Sequence, residues 1–225
     1  MATSAFTTIQ ATSLVEQCYE QIKSKILNGE ISGGAPLSDY LLARQMGVSR
    51  SPVREALRLL EPSGLVRKST NRSYRVVEIS NDDVDELAAL RLADEGLAVA
   101  LIVRRRTPID SLKPLLDGIA SAPPGSVAAA DADTAFHAAV VNLARLPRLS
   151  ARHSALADQI RLMLMVVGLP RTPDQKELWQ NHVELYDALQ RAINDGSTSR
   201  VLALWEAHVA HGMYGEVRPI PATRA

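Results

Sequence analysis

One stretch, residues 47–61 or "GVSRSPVREALRLLE", limits most sharply what this chain can fold into. Its apolar residues recur at helical spacing, which predicts a buried helix face made by Val53, Ala56, Leu57 and Leu60. Ser51 suits the N-cap, and Pro52 suits the first helical position, where its missing N–H costs no hydrogen bond. The opposite face carries the basic residues Arg50, Arg54 and Arg58. We therefore predict an amphipathic helix with a positively charged outer face.

Two more helices and a hairpin are predicted around this helix, from the segments 14–28, 40–46, 65–69 and 74–79. The first two segments have apolar residues at helical spacing, and the last two are rich in β-branched residues and joined by the polar "TNRS". Ser38 or Asp39 can cap the second helix, which ends at Gly47. Three helices and a hairpin are the plan of a winged helix-turn-helix domain. We place it at residues 1–79, with about residues 1–12 as a flexible tail.

From Ser80 onward the pattern is helical throughout, and no strand-like alternation follows Ile79. Turn-forming sequences rich in Pro, Gly and Asp separate the helical segments, which are 80–106, 109–120, 128–143, 149–167, 174–193 and 199–215. Residues 80–225 are therefore expected to form a C-terminal all-α bundle, and the predicted fold class of the whole chain is mainly α.

The charge of the chain is distributed unevenly. The totals cancel, with 25 basic and 25 acidic residues, but the segment 44–75 holds eight basic residues and only two acidic ones. A basic region inside a neutral chain indicates a local surface that binds a polyanion.

The basic helix carries side chains that suit DNA. In a helix-turn-helix the second helix enters the major groove with its N-terminal residues nearest the bases. Arg50 and Arg54 can each pair with a guanine or hold a phosphate, while Ser49 and Ser51 can anchor the DNA backbone. The plainer alternative is a solvated basic face on an ordinary helix, and for Arg58 both interpretations stay open.

A second group of residues suggests a metal site in the helical half. Asp133 and His137 are four residues apart in "DTAFH" and therefore project from one face of a helix. His182 and His208 fall on the last two predicted helices, which a short loop makes antiparallel neighbours. A carboxylate and three imidazoles would bind a divalent transition metal, zinc first and nickel or manganese as alternatives. The alternative is that each histidine is an ordinary residue with its own hydrogen bond.

The segment "ILNGEISGGAPLSDYLLARQMGVSRSPVREALRLLEPSGLV" resembles the DNA-binding domain of GntR-type bacterial transcription regulators. The run "VSRSPVREAL" is the most specific part of the resemblance. It implies a homodimer that binds a double-stranded DNA operator with palindromic half-sites, and residues matching Ser49, Arg50, Ser51 and Arg54 contact DNA in that family. With the other basic residues of the region, the predicted DNA-contacting set is Arg44, Ser49, Arg50, Ser51, Arg54, Arg58 and Arg72.

The helical half resembles the FCD ligand-binding domain of the FadR-like branch of this family. The resemblance is carried by "LAALRLADEGLAVAL", "DTAFH" and "NHVELYDAL...EAH". It implies that Asp133, His137, His182 and His208 bind the metal. It also implies that Arg91 points into the same cavity, where carboxylate effectors bind.

Several positions depart from the family pattern. In the first half, Ser32–Gly34 replaces a Pro-Gly turn, Asp39 replaces a glutamate and Ser73 replaces a wing glycine. In the second half, Leu146 replaces a common asparagine, and the loop "INDGSTS" lengthens the spacing from His182 to His208 by about four residues. We interpret this longer loop as an extended hairpin end.

Two functions are compared on this basis. The first is a metabolite-responsive regulator, expected by analogy to be a repressor, in which a small organic acid bound near the metal alters operator binding. The alternative is a metal-dependent enzyme fused to a nucleic-acid-binding module. The only candidates for its general acid or base are Asp94 and Glu95, so we expect a regulator and not an enzyme.

The remaining features concern location. No apolar run reaches the roughly 18 to 20 residues that a membrane span needs, and residues 1–13 lack the pattern of a secretory signal. Cys18 is the lone cysteine and cannot form an internal disulfide, which fits a reducing compartment. We expect a cytoplasmic protein with no membrane partner.

Overall fold

The structure is a computed structural model that describes residues 13–69, 73–168 and 174–214. The predicted tail at about residues 1–12 and the predicted DNA contact Arg72 lie outside these described residues. Within them the chain divides into two compact units, the first formed by residues 13–26 and 31–77 and the second by residues 27–30 and 78–214.

The first unit contains three helices and a small sheet, in the order α1 (Leu14–Leu27), β1 (Pro36–Leu37), α2 (Asp39–Met46), α3 (Arg50–Leu60), β2 (Val66–Lys68) and β3 (Tyr74–Val76). In the sheet β3 lies between β1 and β2 and is antiparallel to both. The predicted plan of three helices and a hairpin is therefore confirmed. The sequence pattern does not predict β1, because two residues are too few to show an alternation.

Local capping explains where α2 begins and ends. The side chain of Ser38 accepts a hydrogen bond from the backbone N–H of Leu41, so Ser38 and not Asp39 is the N-cap. At the other end Gly47 takes a left-handed conformation with φ of 66°, which glycine adopts without steric cost. The next helix, α3, begins three residues later and completes the helix-turn-helix.

The helix α3 begins earlier than the sequence predicts. Its N-cap is Ser49 and its first residue is Arg50, so the prediction of Ser51 as the cap and Pro52 as the first helical residue is wrong. Pro52 instead stands within the first turn, where it costs no hydrogen bond because those N–H groups have no partner inside the helix. The predicted core face is confirmed, since the buried residues of α3 are Val53, Ala56, Leu57 and Leu60.

The second unit is helical in all its described residues. Its elements are α4 (Asn81–Arg105), a 3₁₀ turn (Asp110–Leu112), α5 (Lys113–Ser121), α6 (Val127–Leu143), α7 (Pro147–Met163), a π-helical turn (Leu164–Gly168), α8 (Gln175–Asp195) and α9 (Ser199–Tyr214). The mainly α fold class is thus confirmed, and the element bounds follow the predicted segments closely.

The long helix α4 is the centre of the second unit and packs against α6, α7, α8 and α9. It starts with a capping box, in which the side chains of Ser80 and Asp83 each bind the other residue's backbone N–H. The inner side of α4 is mostly apolar, but it also buries three charged residues, namely Arg91, Asp94 and Glu95. Buried charges need partners, and those of α4 find them on the neighbouring helices.

The core around these charges is apolar and includes the fully buried residues Ile102, Phe136, Leu185, Leu189 and Trp205.

Among the described residues, the structure has no helix whose length and apolar character would let it cross a membrane.

Candidate functional site

A groove on the first unit brings together four of the predicted DNA-contacting residues. Its lining includes residues of α3 and of the β2–β3 hairpin, among them Arg50, Ser51, Arg54 and Arg58. Arg44 and Ser49 are exposed but do not line this groove. The basic face of α3 is therefore open to solvent along the side that the helix-turn-helix plan assigns to DNA.

Two carboxylates pair with the arginines of α3, and the sequence reasoning did not identify either role. Asp39 on α2 accepts hydrogen bonds from Arg50, whose Nη2 lies 2.9 Å from Oδ1, and from Arg54 Nε. Glu55 accepts a hydrogen bond from Arg58 Nε at 3.0 Å within α3 itself. The spacing of three residues could have suggested the Glu55–Arg58 pair, whereas the partners of Asp39 lie on a different helix.

In the second unit the four predicted metal ligands converge. Asp133, His137, His182 and His208 each offer one ligand atom, and these atoms all lie within 4.8 Å of one another. Asp133 and His137 come from one face of α6, His182 comes from α8 and His208 from α9. Asp133, His137 and His182 are buried and His208 is half-buried, so the cluster lies inside the bundle.

The longer connection before His208 does not separate the ligands. The helix α8 continues to Asp195, Gly196 ends it with φ of 76°, and α9 begins at Ser199. The rings of His182 and His208 meet edge to face, with their centroids 4.6 Å apart. The extra residues thus extend the hairpin end of α8 and α9, as the sequence predicted.

Hydrogen bonds orient two of the imidazoles toward the centre of the cluster. His137 Nδ1 donates to Glu95 Oε2 at 2.7 Å, and His182 Nδ1 donates to the carbonyl oxygen of Leu178 at 2.8 Å. A ring nitrogen that faces these acceptors must carry the proton, so in the neutral imidazole the other nitrogen, Nε2, offers a lone pair. Each of these two Nε2 atoms lies within about 3.2 Å of an atom of another residue in the cluster.

These Nε2 atoms lie close to atoms that also accept hydrogen bonds. His182 Nε2 is buried without a hydrogen bond, and it lies 3.2 Å from Asp133 Oδ1. His137 Nε2 lies 3.1 Å from His208 Nε2 and 3.9 Å from Asp133 Oδ1. A lone pair on His182 Nε2 repels the carboxylate of Asp133 at 3.2 Å unless a cation lies between them. The nitrogen and oxygen donors present therefore fit a divalent transition metal.

A second set of contacts surrounds the cluster and is centred on Glu95. This carboxylate accepts hydrogen bonds from Arg91 Nε at 2.7 Å, from His137 Nδ1 at 2.7 Å and from Trp205 Nε1 at 2.6 Å. Arg91 also donates from Nη2 to Asp133 Oδ2 at 3.3 Å. Arg91, the predicted effector contact, thus lies beside the predicted metal ligands and binds one of them.

The electrostatics of this region favour a cation. Burial alone would raise the pKa values of Asp133 and Glu95, but the positive charge of Arg91 and the nearby imidazole of His137 outweigh it and lower both. Burial, with the charge of Arg91, lowers the pKa of His137. Burial also lowers the pKa of His208. Two ionised carboxylates then face one guanidinium, while burial disfavours a charge on His137 and His208, which leaves a net negative charge for a metal ion to neutralise.

Next to this cluster lies a third buried carboxylate, Asp94. Arg152 donates a hydrogen bond to Asp94 Oδ1. The other oxygen, Asp94 Oδ2, lies 3.9 Å from His153 Nδ1. Neither Asp94 Oδ2 nor His153 Nδ1 has a hydrogen bond among the described residues. Burial lowers the pKa of His153 to about 4. His153 therefore stays uncharged in the folded protein near neutral pH.

The residues that the sequence reasoning missed are those that support the ligands. Trp205 lies in the core, and its hydrogen bond to Glu95 has no local sequence signal. Glu95 follows Arg91 by four residues, and this spacing could have suggested the pair. Its bond to His137 depends on the packing of α4 against α6.

Comparison with known proteins adds the family to this geometry. Residues 14–76 match the family described as "Bacterial regulatory proteins, gntR family", and residues 86–211 match the FCD domain. A winged helix-turn-helix unit and a helical unit of this kind define a class of DNA-binding transcription regulators. The chain belongs to the GntR family of transcription regulators, in the group that carries an FCD domain.

Individual relatives support this assignment. An "Uncharacterized HTH-type transcriptional regulator YdhC" of Bacillus subtilis is 40% identical over 87 residues, which cover 39% of each chain. A "Probable D-xylose utilization operon transcriptional repressor" of Paenarthrobacter nicotinovorans is 28% identical over 80% of each chain. The solved structure of E. coli McbR/YncC is similar with a TM-score of 0.67 and 25% identity, covering 89% of this chain and 95% of that one.

The matched families and relatives are transcription regulators and not enzymes. Of the two functions compared above, the prediction of a transcription regulator is therefore confirmed. The enzyme alternative has no support, although the four converging ligands would by themselves allow it.

Proposed function

We propose that this regulator is a metal-containing, ligand-responsive repressor that acts as a homodimer. Residues 1–79 serve as the DNA-binding domain and contact the palindromic half-sites of an operator through Arg44, Ser49, Arg50, Ser51, Arg54, Arg58 and Arg72. Residues 80–225 bind the effector and form the dimer. The repressor role is supported by the relative from Paenarthrobacter nicotinovorans, whose name describes a repressor.

The observation that carries the proposal is the convergence of Asp133, His137, His182 and His208 with two oriented Nε2 atoms. Three nitrogens and one oxygen suit zinc first, with nickel or manganese as alternatives. A divalent ion bound there would supply a Lewis acid with positions open to an oxygen ligand. The chain itself fixes the two imidazoles and keeps the carboxylate ionised.

Arg91 supports a carboxylate as the effector. Its Nε and Nη2 groups bind Glu95 and Asp133, but the nearest acceptor of Nη1 is the sulfur of Met213, at 3.9 Å. A thioether sulfur is a weak acceptor, so a carboxylate that took its place would gain a charge-assisted hydrogen bond. A small organic acid can therefore bind Arg91 and the metal position together.

The effector alters operator binding only if it binds one conformation of the protein more tightly than another. Arg91 and Asp133 are a pair that an incoming carboxylate can change, because it competes with Asp133 for the same guanidinium. We expect the effector to release the operator, as a repressor requires.

The metal content of the purified protein tests this proposal. We expect about one divalent ion per chain by elemental analysis, and loss of that ion in the double variant His182→Ala with His208→Ala. The matched control is His211→Ala, which removes a histidine of α9 that is not part of the four-residue cluster. Full metal occupancy in a folded double variant would show that the ligands lie elsewhere.

A further inference from the structure

Asp39 is the point where two arginines of α3 meet a residue of another helix. Arg50 Nη2 lies 2.9 Å from Oδ1 and 3.1 Å from Oδ2, and Arg54 Nε donates to Oδ2. The side chain of Asp39 is 20% exposed, whereas those of Arg50 and Arg54 are 51% and 62% exposed. The carboxylate thus lies at the base of the groove, and the guanidinium groups extend from it toward solvent.

The contact with Asp39 uses Nη2 of Arg50 but only Nε of Arg54, so the terminal groups of Arg54 remain available to DNA. Arg54 is held through Nε, and among the described residues its two terminal Nη groups take part in no hydrogen bond. Those two groups form the fork that pairs with O6 and N7 of guanine. A carboxylate that holds Nε orients this fork without occupying it.

The position of Asp39 in the fold makes it a rigid anchor. It is the first residue of α2, directly after the N-cap Ser38, and α2 packs against α3 in the helix-turn-helix. Burial would raise the pKa of Asp39, but the hydrogen bonds from Arg50 and Arg54 outweigh it and lower that pKa. Asp39 is therefore ionised at any pH near neutrality at which the protein binds DNA.

We infer that Asp39 is a positioning residue that holds Arg50 and Arg54 in the conformation that reads base edges, and so sets the sequence specificity of the regulator. The inference rests on the proposed role of α3 in DNA binding. Two effects act together. Ordering the arginines in advance lowers the entropy lost on specific binding, and a fixed negative charge near the phosphates weakens binding to DNA of any sequence.

The test compares Asp39→Asn in the full-length protein with a charge-matched control, Glu20→Gln. Glu20 is exposed on α1 of the same unit and is paired with no arginine of α3. The DNA probes are a duplex selected by the wild-type protein from a randomised pool and an unrelated duplex of the same length. The quantity measured is the ratio of the two affinities at a fixed salt concentration.

We expect Asp39→Asn to lower this ratio about tenfold, within the range that one bidentate base contact supplies. The affinity for the unrelated duplex should rise in this variant, and Glu20→Gln should keep the wild-type ratio. A ratio for Asp39→Asn that equals the wild-type value overturns the inference, and so does an equal loss in Glu20→Gln. If Asp39→Asn does not fold, Asp39→Ser is measured and judged by the same outcomes.

A third variant, Arg54→Ala, separates this inference from the proposed function. Loss of the selected site in Arg54→Ala combined with an unchanged ratio in Asp39→Asn would refute the positioning role alone. Unchanged binding and sequence preference in Arg54→Ala would instead refute the assignment of α3 as the helix that reads DNA.

Discussion

Glu95 accepts three hydrogen bonds, and each donor belongs to a group with a proposed task. One is Arg91, the proposed effector contact, one is His137, a proposed metal ligand, and the third is Trp205 in the core. A carboxylate that binds the outer nitrogen of a ligating histidine fixes its tautomer and makes the ligating nitrogen more basic. Glu95 therefore determines which nitrogen of His137 faces the proposed metal position.

The variant Glu95→Gln should bind the metal about 10- to 100-fold more weakly, the usual effect of losing such a partner. The NH₂ group of an amide would face either Arg91 or both His137 and Trp205, so the side chain cannot accept from all three donors. Competition with a chromophoric chelator measures the affinity. Glu86→Gln, an exposed change on the same helix, is the control and should match the wild type, and equal affinities in all three proteins would contradict the role of Glu95.

Among individual residues, the sequence predicts those whose signal is local. Asp133 and His137 are found from their spacing of four residues, which places both on one face of α6. His182 and His208 come from different helices, and they are joined to the first pair by the expectation that the last two helices are antiparallel neighbours and by family resemblance. Glu95 and Asp39 have the roles described because of contacts between helices, which spacing along the chain does not encode.

Among the helices, sequence-based prediction is accurate because the cues are repeated along each element. Apolar spacing, a capping serine and a glycine stop agree for α2, and the cap-type residue Ser80 marks the start of α4. The start of α3 is misplaced because Pro52 is compatible with more than one position in the first turn. The strand β1 depends on pairing with β3, with Leu37 opposite Tyr74, and that contact cannot be read from two residues.

The capping box of α4 has a measurable contribution. Ser80→Ala should lower the free energy of unfolding by about 1 kcal/mol, because the backbone N–H of Asp83 loses its acceptor. Denaturant unfolding followed by tryptophan fluorescence reports on the second unit, since both tryptophans, Trp179 and Trp205, belong to it. Ser154→Ala, exposed within α7, should cause no loss, and equal stability of the two variants would argue against the cap.

For the whole molecule, burial of histidines predicts how stability depends on pH. The pKa of His153 is lowered to about 4 in the folded protein, against about 6.5 in an unfolded chain. As the pH falls, the unfolded state therefore binds the proton before the folded state does. The contribution of neutral His153 to the free energy of unfolding is complete above about pH 6.5 and is lost as the pH falls toward 4. Burial shifts the pKa values of His137 and His208 in the same direction.

In metal-free protein we expect His153 alone to reduce the free energy of unfolding by about 2 kcal/mol between pH 7 and pH 5. Urea unfolding at the two pH values measures this change. His153→Asn removes the titrating group and should show a smaller loss over the same interval. A loss of equal size in both proteins would mean that His153 does not titrate as its burial requires.

The helix α4 carries Arg91 and is also the first helix that follows β3 along the chain. It begins after a connection of only residues 77–80 from the end of β3, and Arg91 lies about 15 Å from its first residue at 1.5 Å per residue. A rotation of about 10° around Arg91 would thus displace the start of the helix by about 3 Å over that length. Because the connection is short, a movement of α4 at Arg91, the proposed effector contact, would reach the backbone that leads back to β3.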